Sequence, residues 1–163
     1  DIVMVFFLLL SYLLLQKKKF LLAVCCFIAS VLIKYATLFA LPVFVYVLWK
    51  VYKKQEIEWK RVYYWSAIEM FIIFMLSPLR EEMYPWYAVW FLPFVFLLPE
   101  RKNILFVSIA FSCGLLLRYV AFMYTGNHFG LTPSLRIVLM LVPVLIVGIF
   151  LWVRRMTVTK PVS

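Results

Sequence analysis

Four charged residues lie inside or beside apolar stretches, where each needs a charged partner, water or a ligand. Lys34 separates two apolar runs, Glu69 and Arg118 lie within longer ones, and Arg136 begins the last. A charge in hydrocarbon costs about 3 kcal/mol unless it is paired or hydrated, so such residues point first to function. Arg binds phosphate oxygens through paired hydrogen bonds, and Lys supplies a mobile charge. The three cations therefore predict a site for a phosphate attached to a lipid.

Structural roles are the alternative for the same four residues. Glu69 and Arg118 would then pair with each other and join two helices. Lys34 and Arg136 would extend along apolar surface to the membrane–water interface. The sequence leaves both interpretations open.

Segment 77–94, SPLREEMYPWYAVWFLPF, places charged residues directly before an aromatic and apolar run. Arg80, Glu81 and Glu82 are too costly to bury in lipid, so we expect them in water or in a polar cavity. The rings that follow favour headgroup depth: Tyr84, Trp86, Tyr87 and Trp90. Carboxylates accept protons, Arg binds phosphate, and aromatic rings stack on sugars. The alternative is an ordinary aromatic belt around a loop.

Loop 125–134, TGNHFGLTPS, contains His128, the single histidine of the chain. Histidine titrates near neutral pH, so His128 is a candidate acid, base or hydrogen-bond donor. A loop histidine without a chemical role is the alternative.

Signals for a cofactor are weak. Cys25, Cys26 and Cys113 lie in apolar runs without the spacing of a zinc site or a disulfide framework, and we expect them to pack in the core. Neither a P-loop nor a dinucleotide-binding glycine motif is present. The sequence indicates no cofactor and leaves a divalent metal ion open.

The composition indicates the class of protein in which these residues act. Hydrophobic residues make up 67% of the 163 residues, charged ones 15%, and the mean hydropathy is +1.02. Such a chain has too little polar surface to cover a water-soluble globule. The net charge of +10 comes from short basic clusters between apolar runs, so we exclude nucleic acid as a partner. The prediction is an integral, multi-pass membrane protein.

Polar breaks divide the chain into seven apolar segments, and a backbone in lipid must satisfy its hydrogen bonds within a helix. The segments are 2–15, 20–33, 36–49, 62–76, 86–98, 104–124 and 135–153. The predicted fold is an all-α polytopic transmembrane helical bundle, with one domain over 1–163. Most basic residues fall in alternate breaks, which the positive-inside rule assigns to the cytoplasm. Asp1, Lys34, 80–84 and 125–134 are then extracytoplasmic.

Residues 20–49 form either one long helix or two short helices that meet at Lys34. A single helix would be about 45 Å long, against a hydrocarbon core of roughly 30 Å, and would bury Lys34 near its middle. A hairpin keeps the basic residues at its two outer ends on one face. We therefore predict short or broken helices over 20–49, beside a cavity open to the outer face.

Two strings carry a resemblance to a known family. KYATLFALP at 34–42 contains Lys34, Tyr35 and Pro42, and YPWYAVWFLPF at 84–94 contains a Pro-Trp-Tyr group. With an Asp at the outer end of the first segment and a Lys-rich turn after it, the chain resembles the C-terminal half of GT-C polytopic glycosyltransferases. Polyprenyl-phosphate-mannose-dependent mannosyltransferases are the most similar branch.

The resemblance implies an enzyme that transfers a hexose from a polyprenyl-phosphate sugar to an extracytoplasmic glycan or protein acceptor. In the most similar branch that hexose is mannose. It implies an active face outside a bacterial or archaeal plasma membrane, or an ER-type membrane. The candidate substrate-binding residues are then the four cations, His128 and four aromatic residues: Lys34, Arg80, Arg118, Arg136, His128, Tyr35, Tyr84, Trp86 and Tyr87.

The main catalytic carboxylate of the family lies in the first extracytoplasmic loop, which would precede Asp1. We therefore expect this chain to be the C-terminal part of a longer protein and to be inactive alone. Within the chain, the candidate carboxylates are Asp1, Glu81 and Glu82.

Two functions of other classes are the alternatives. A transporter or flippase for a lipid-linked glycan would use the cationic cavity but would carry charges into the cytoplasmic half, where Glu69 is the one hint. A non-catalytic membrane subunit would need no cluster of carboxylates and cations on the outer face.

Overall fold

The computed structural model describes residues 1–77, 84–98, 100–126 and 132–158, and its regular elements are all helices. The all-α prediction is confirmed. The chain divides into two compact units, Asp1–Pro99 and Glu100–Ser163. The assignment of one domain to 1–163 stays a prediction.

The first unit contains five α-helices and two 3₁₀ helices within its described residues. In chain order they are α1 (Ile2–Gln16), α2 (Phe20–Ile33), a first 3₁₀ helix (Tyr35–Ala40), α3 (Leu41–Tyr52), α4 (Trp59–Leu76), a second 3₁₀ helix (Pro85–Trp90) and α5 (Leu92–Phe96). The second unit contains α6 (Lys102–Thr125) and α7 (Thr132–Val158).

The hairpin predicted over 20–49 is confirmed. Lys34 ends α2 in an extended conformation, with φ −155° and ψ 122°. The rings of Phe27 in α2 and Phe44 in α3 stack with centroids 4.1 Å apart. In a continuous helix these residues would be about 25 Å apart, so the chain reverses direction between them. The hydroxyl groups of Ser30 and Thr37 lie 2.9 Å apart across the reversal.

Tyr12 lies at the centre of the first unit. Met4, Leu8 and Tyr12 follow one another at intervals of four residues, which puts them on one face of α1, and all three are buried. The Tyr12 ring stacks on Phe44, and its hydroxyl lies 2.9 Å from the Ser66 hydroxyl in α4. One side chain thus connects α1, α3 and α4 and satisfies its polar atom.

Segment 86–98 differs from the continuous helix that its apolar composition predicts. The second 3₁₀ helix begins with Pro85 and ends at Trp90, and Pro93 lies in the first turn of α5. Proline lacks the N–H that a helix interior uses, whereas in a first turn that N–H would have no partner within the helix, so proline is favoured there. The two pieces together extend about 20 Å, less than a hydrocarbon core of roughly 30 Å.

In the second unit α6 and α7 approach closely at Gly114. A Cβ placed on Gly114 would overlap the carbonyl oxygen of Met140, so only glycine fits at this contact. Gly148, further along α7, has open space where its Cβ would be. The contact fixes the register of the two helices.

Three stretches of the described residues are long and apolar enough to cross a membrane: Tyr35–Tyr52, Lys102–Val120 and Ser134–Thr157. The helices α1 and α2 are apolar but shorter. Most large apolar side chains of α7 are exposed, as expected for a helix that faces lipid. These features support a membrane protein, while the number of crossings and their direction stay predictions.

The cysteine expectation is wrong in part. Cys25 and Cys113 are exposed on their helices, and Cys26 is half-buried. Because the helices bury only part of their apolar surface against each other, an apolar position in this sequence does not imply a core position.

Candidate functional site

The helix ends of the first unit bring a carboxylate and an ammonium group together. Asp1 precedes α1 and Lys34 follows α2, and the α1–α2 hairpin places these two ends side by side. The Lys34 Nζ lies 2.8 Å from the Asp1 Oδ1, and the two side chains are 23% and 15% exposed. An ion pair so shielded from water is stronger than one at a solvated surface.

Two aromatic rings complete this group. The Lys34 Nζ lies 4.0 Å from the ring centroid of Tyr87 and 4.7 Å from that of Trp90. Both distances are within the range of cation–π attraction. We call Asp1, Lys34, Tyr87 and Trp90 the lysine cluster.

The second 3₁₀ helix aligns its rings because a 3₁₀ helix has three residues per turn. Tyr84, Tyr87 and Trp90 are spaced three apart and therefore lie along one side. Tyr87 and Trp90 stack with centroids 4.4 Å apart, and Tyr84 stacks on Trp86 at 4.5 Å. Trp86 is 54% exposed, whereas Trp90 is 3% exposed. The helix thus presents a buried pair to Lys34 and an accessible ring next to it.

A cavity of about 50 Å³ lies against this cluster, and Lys34, Tyr35, Ser77, Tyr87 and Trp90 are among the residues that line it. A cavity of this size has room for about three water molecules or a small polar group, but not for a sugar ring. The buried indole Nε1 of Trp90 has no hydrogen-bond partner among the described residues. A buried donor without a partner is costly, so an acceptor in the cavity would be stabilising.

Trp90 is the residue that the sequence-based selection of binding residues missed. The sequence identifies its neighbours Tyr84, Trp86 and Tyr87 as binding residues, whereas Trp90 is identified only as an interfacial ring and as part of the string that carries the resemblance. The three-residue spacing from Tyr84 was the available signal, since it aligns Trp90 with Tyr87 only in a 3₁₀ helix.

Glu69 lies beside the start of α3. Its carboxylate accepts a hydrogen bond from the backbone N–H of Val43, which is in the first turn of α3. The first N–H groups of a helix have no partner within the helix, so Glu69 caps α3 from α4. The second oxygen, Oε2, is buried without a hydrogen-bond partner in the described part of the chain. This geometry gives Glu69 a structural role; its pairing with Arg118 stays a prediction.

Arg118 and Arg136 belong to the second unit, and both are half-buried. Arg118 lies one turn after Gly114 in α6, and Arg136 lies one turn before Met140 in α7. A short connection makes α6 and α7 antiparallel, so a step of four residues forward in α6 matches a step of four residues back in α7. Starting from the Gly114–Met140 contact, these steps place Arg118 and Arg136 at the same height along the helix pair. Their joint binding of a phosphate stays a prediction.

Several predicted site residues fall outside the described residues, namely Arg80, Glu81, Glu82 and His128. Their roles stay predictions. Within the described residues, no group of His, Cys, Asp and Glu side chains has the arrangement of a metal site.

Comparison of the chain with protein-family models, with curated proteins and with solved structures finds no match. The resemblance to GT-C glycosyltransferases therefore depends on the short strings around Lys34 and Trp86 alone. Any function proposed for the chain has to be argued from the geometry of the lysine cluster.

Proposed function

We propose that the chain is the membrane part of a glycosyltransferase that transfers a hexose, mannose in the branch it resembles, from a polyprenyl-phosphate donor to an extracytoplasmic glycan or protein. The lysine cluster is the observation that carries this proposal. Such a transfer requires a cation to stabilise the leaving phosphate and a carboxylate to take the acceptor proton. Lys34 supplies such a cation beside a cavity, and its ion pair with Asp1 holds the ammonium group in place.

Each part of the cluster has a role in donor binding. The Lys34 ammonium supplies positive charge for the phosphate, and the Trp90 indole N–H supplies a hydrogen bond to one of its oxygens. The cavity is too small for the hexose, so in this proposal the sugar lies outside it, against the exposed ring of Trp86. Aromatic faces of this kind stack on sugar rings.

Asp1 is held by Lys34 and serves in this proposal to orient the ammonium group. The family that the chain resembles has its main catalytic carboxylate in another loop. We therefore propose that the 163-residue chain binds the donor lipid but does not transfer the sugar. The longer parent enzyme would carry out the transfer.

Donor binding tests this proposal directly. Purified chain in lipid nanodiscs is titrated with a polyprenyl phosphate, with inorganic phosphate as the soluble comparison. We expect saturable binding of the lipid, and we expect Trp90→Phe to weaken it about tenfold because one hydrogen bond to a charged group is lost. Trp49→Phe is the control, since Trp49 is half-exposed on α3, outside the cavity lining.

Three results would count against the proposal. Absence of saturable binding by the wild-type chain would remove the donor site altogether. Equal binding by Trp90→Phe would leave a water molecule as the partner of the indole N–H. Movement of a lipid-linked glycan across the bilayer, without sugar transfer by the parent protein, would favour a flippase.

A further inference from the structure

The helices α1 and α3 end in the same backbone motif. In each motif two backbone N–H groups after the helix donate hydrogen bonds to carbonyl groups in its last turn. After α1, Lys18 donates to Leu15 and Lys19 donates to Leu14. After α3, Lys54 donates to Val51 and Gln55 donates to Lys50. Lys18 and Lys54 occupy the matching position in the two motifs, with φ of 57° and 53°. These are the hydrogen bonds and the left-handed residue of a Schellman cap.

Lysine is an unusual residue for both of these positions. The left-handed conformation favours glycine and then asparagine, because a Cβ crowds the following carbonyl. Either residue would close the same cap with less strain. Since the cap does not use the lysine side chain, its presence at both positions indicates another role for the ammonium groups.

Lys18 and Lys54 line one open cavity of about 210 Å³. Neither ammonium group has a hydrogen-bond or ion-pair partner within the residues that the structure describes. The polar groups of Gln16 and Gln55 also line the cavity, as does one carboxylate, that of Glu56. Two cations against one carboxylate leave the cavity with a net positive charge.

We propose that this cavity binds the phosphate headgroup of an acidic phospholipid. The ammonium groups of Lys18 and Lys54 match its charge, and the Gln55 amide can donate hydrogen bonds to its oxygens. The Gln16 amide donates one N–H to the Tyr63 hydroxyl and has a second N–H left for the phosphate. The volume has room for a phosphate and part of its glycerol, since it is about four times that of the cavity beside the lysine cluster, which has room for about three water molecules. The site is separate from the lysine cluster and does not depend on hexose transfer.

A lipid, rather than soluble phosphate, is the source that the surroundings favour. The cavity lies where two apolar helices end, and exposed apolar side chains such as Leu13 and Trp49 lie on those helices. Trp59 is part of the cavity lining, and tryptophan is enriched at headgroup depth. A basic cavity at this position would attract anionic headgroups of the adjacent leaflet.

The test compares two double variants with the same change in net charge. Lys18→Asn with Lys54→Asn removes both ammonium groups from the cavity and retains the caps, because asparagine tolerates the left-handed conformation. Lys17→Asn with Lys53→Asn is the control: these neighbours have φ of −82° and −74° and are not part of the cavity lining. Native mass spectrometry in neutral detergent measures the Kd for phosphatidylglycerol, phosphatidylcholine and inorganic phosphate.

We expect the wild-type chain to prefer phosphatidylglycerol over phosphatidylcholine. The Lys18/Lys54 variant should bind phosphatidylglycerol about tenfold more weakly, and the control should stay within about twofold of the wild type. The unfolding midpoint without lipid should be unchanged in the control and unchanged or higher in the Lys18/Lys54 variant, since asparagine relieves strain in the caps. If the asparagine variant fails to fold, Lys18→Gly with Lys54→Gly replaces it, since glycine is the preferred residue of the cap.

Three outcomes overturn the proposal. Equal weakening in the two double variants would show that net charge, not the cavity, attracts the lipid. No preference of the wild type for phosphatidylglycerol would remove the site. Displacement of phosphatidylglycerol by inorganic phosphate at equal concentration would assign the cavity to a soluble ligand instead of a lipid.

Discussion

Lys34 and Asp1 stabilise each other, because each neutralises the charge of the other at a position with little contact to water. Lys34→Gln would leave the Asp1 carboxylate, which is 15% exposed, without this partner, and we expect a loss of about 2 kcal/mol of stability. Adding Asp1→Asn should recover most of the loss, since two neutral amide groups can bond to each other. Thermal unfolding in detergent measures both effects. Equal stability of Lys34→Gln and wild type would mean that the ion pair is too hydrated to matter.

Glu69 is predicted to act through the first turn of α3. Glu69→Gln keeps an oxygen that accepts from the Val43 N–H, whereas Glu69→Leu leaves that donor without a partner. Loss of a helix cap costs about 1 kcal/mol, so Leu should be destabilising by about that amount more than Gln. The unfolding midpoints of the two variants provide the comparison. A Gln variant as unstable as the Leu variant would instead indicate that the charge itself is needed.

At the scale of elements, Gly114 determines how closely α6 and α7 pack. Gly114→Ala places a methyl group against the Met140 carbonyl, and forcing the helices apart should cost about 2 kcal/mol. Gly148→Ala makes the same chemical change in open space, where alanine is neutral or favours the helix. We expect opposite effects on the thermal midpoint in detergent. A similar response at both positions would contradict the close contact.

The elements differ in how far the sequence predicts them, and the difference has a physical origin. The bounds of α2 agree with the predicted segment 20–33 because the charged residues Lys19 and Lys34 flank an uninterrupted apolar run. Segment 86–98 is equally apolar, but Pro85 and Pro93 limit it to two short pieces. Apolar composition measures preference for a nonpolar environment, whereas the position at which a helix begins depends on the backbone. Pro85 and Pro93 each lie in a first turn, where proline is favoured.

The candidate site shows the same division between local and tertiary information. The sequence identified Asp1, Lys34 and Tyr87 separately, from charge in apolar surroundings and from a short motif. It did not identify their contact, because that contact depends on the α1–α2 hairpin and on the second 3₁₀ helix. Nor could the sequence identify the buried indole Nε1 of Trp90, which has no hydrogen-bond partner in the described ranges, because burial of one atom is a property of the packed molecule.

At the scale of the whole molecule, the two ends of the α1–α2 hairpin differ in charge: one end carries an ion pair, and the other carries lysines that line a cavity. Asp1 and Lys34 meet at one end of the α1–α2 hairpin, whereas Lys18 and Lys54 line a cavity at the other end of α1. The positive-inside rule assigns the end with Lys18 and Lys54 to the cytoplasm. The internal arrangement of this unit therefore fits an orientation in which Lys34 faces outward.

Cysteine labelling tests this orientation. In a variant with serine at Cys25, Cys26 and Cys113, single cysteines are introduced at two sets of positions: Lys34, Glu81 and His128 in the first, Lys18, Lys54, Lys102 and Arg155 in the second. We expect an impermeant maleimide added to intact cells or sealed vesicles to label the first set from outside. The second set should react only after the membrane is opened, because the positive-inside rule predicts the basic breaks on the cytoplasmic side. Labelling of positions 34 and 18 from the same side would contradict the orientation, since the two lie at opposite ends of one hairpin.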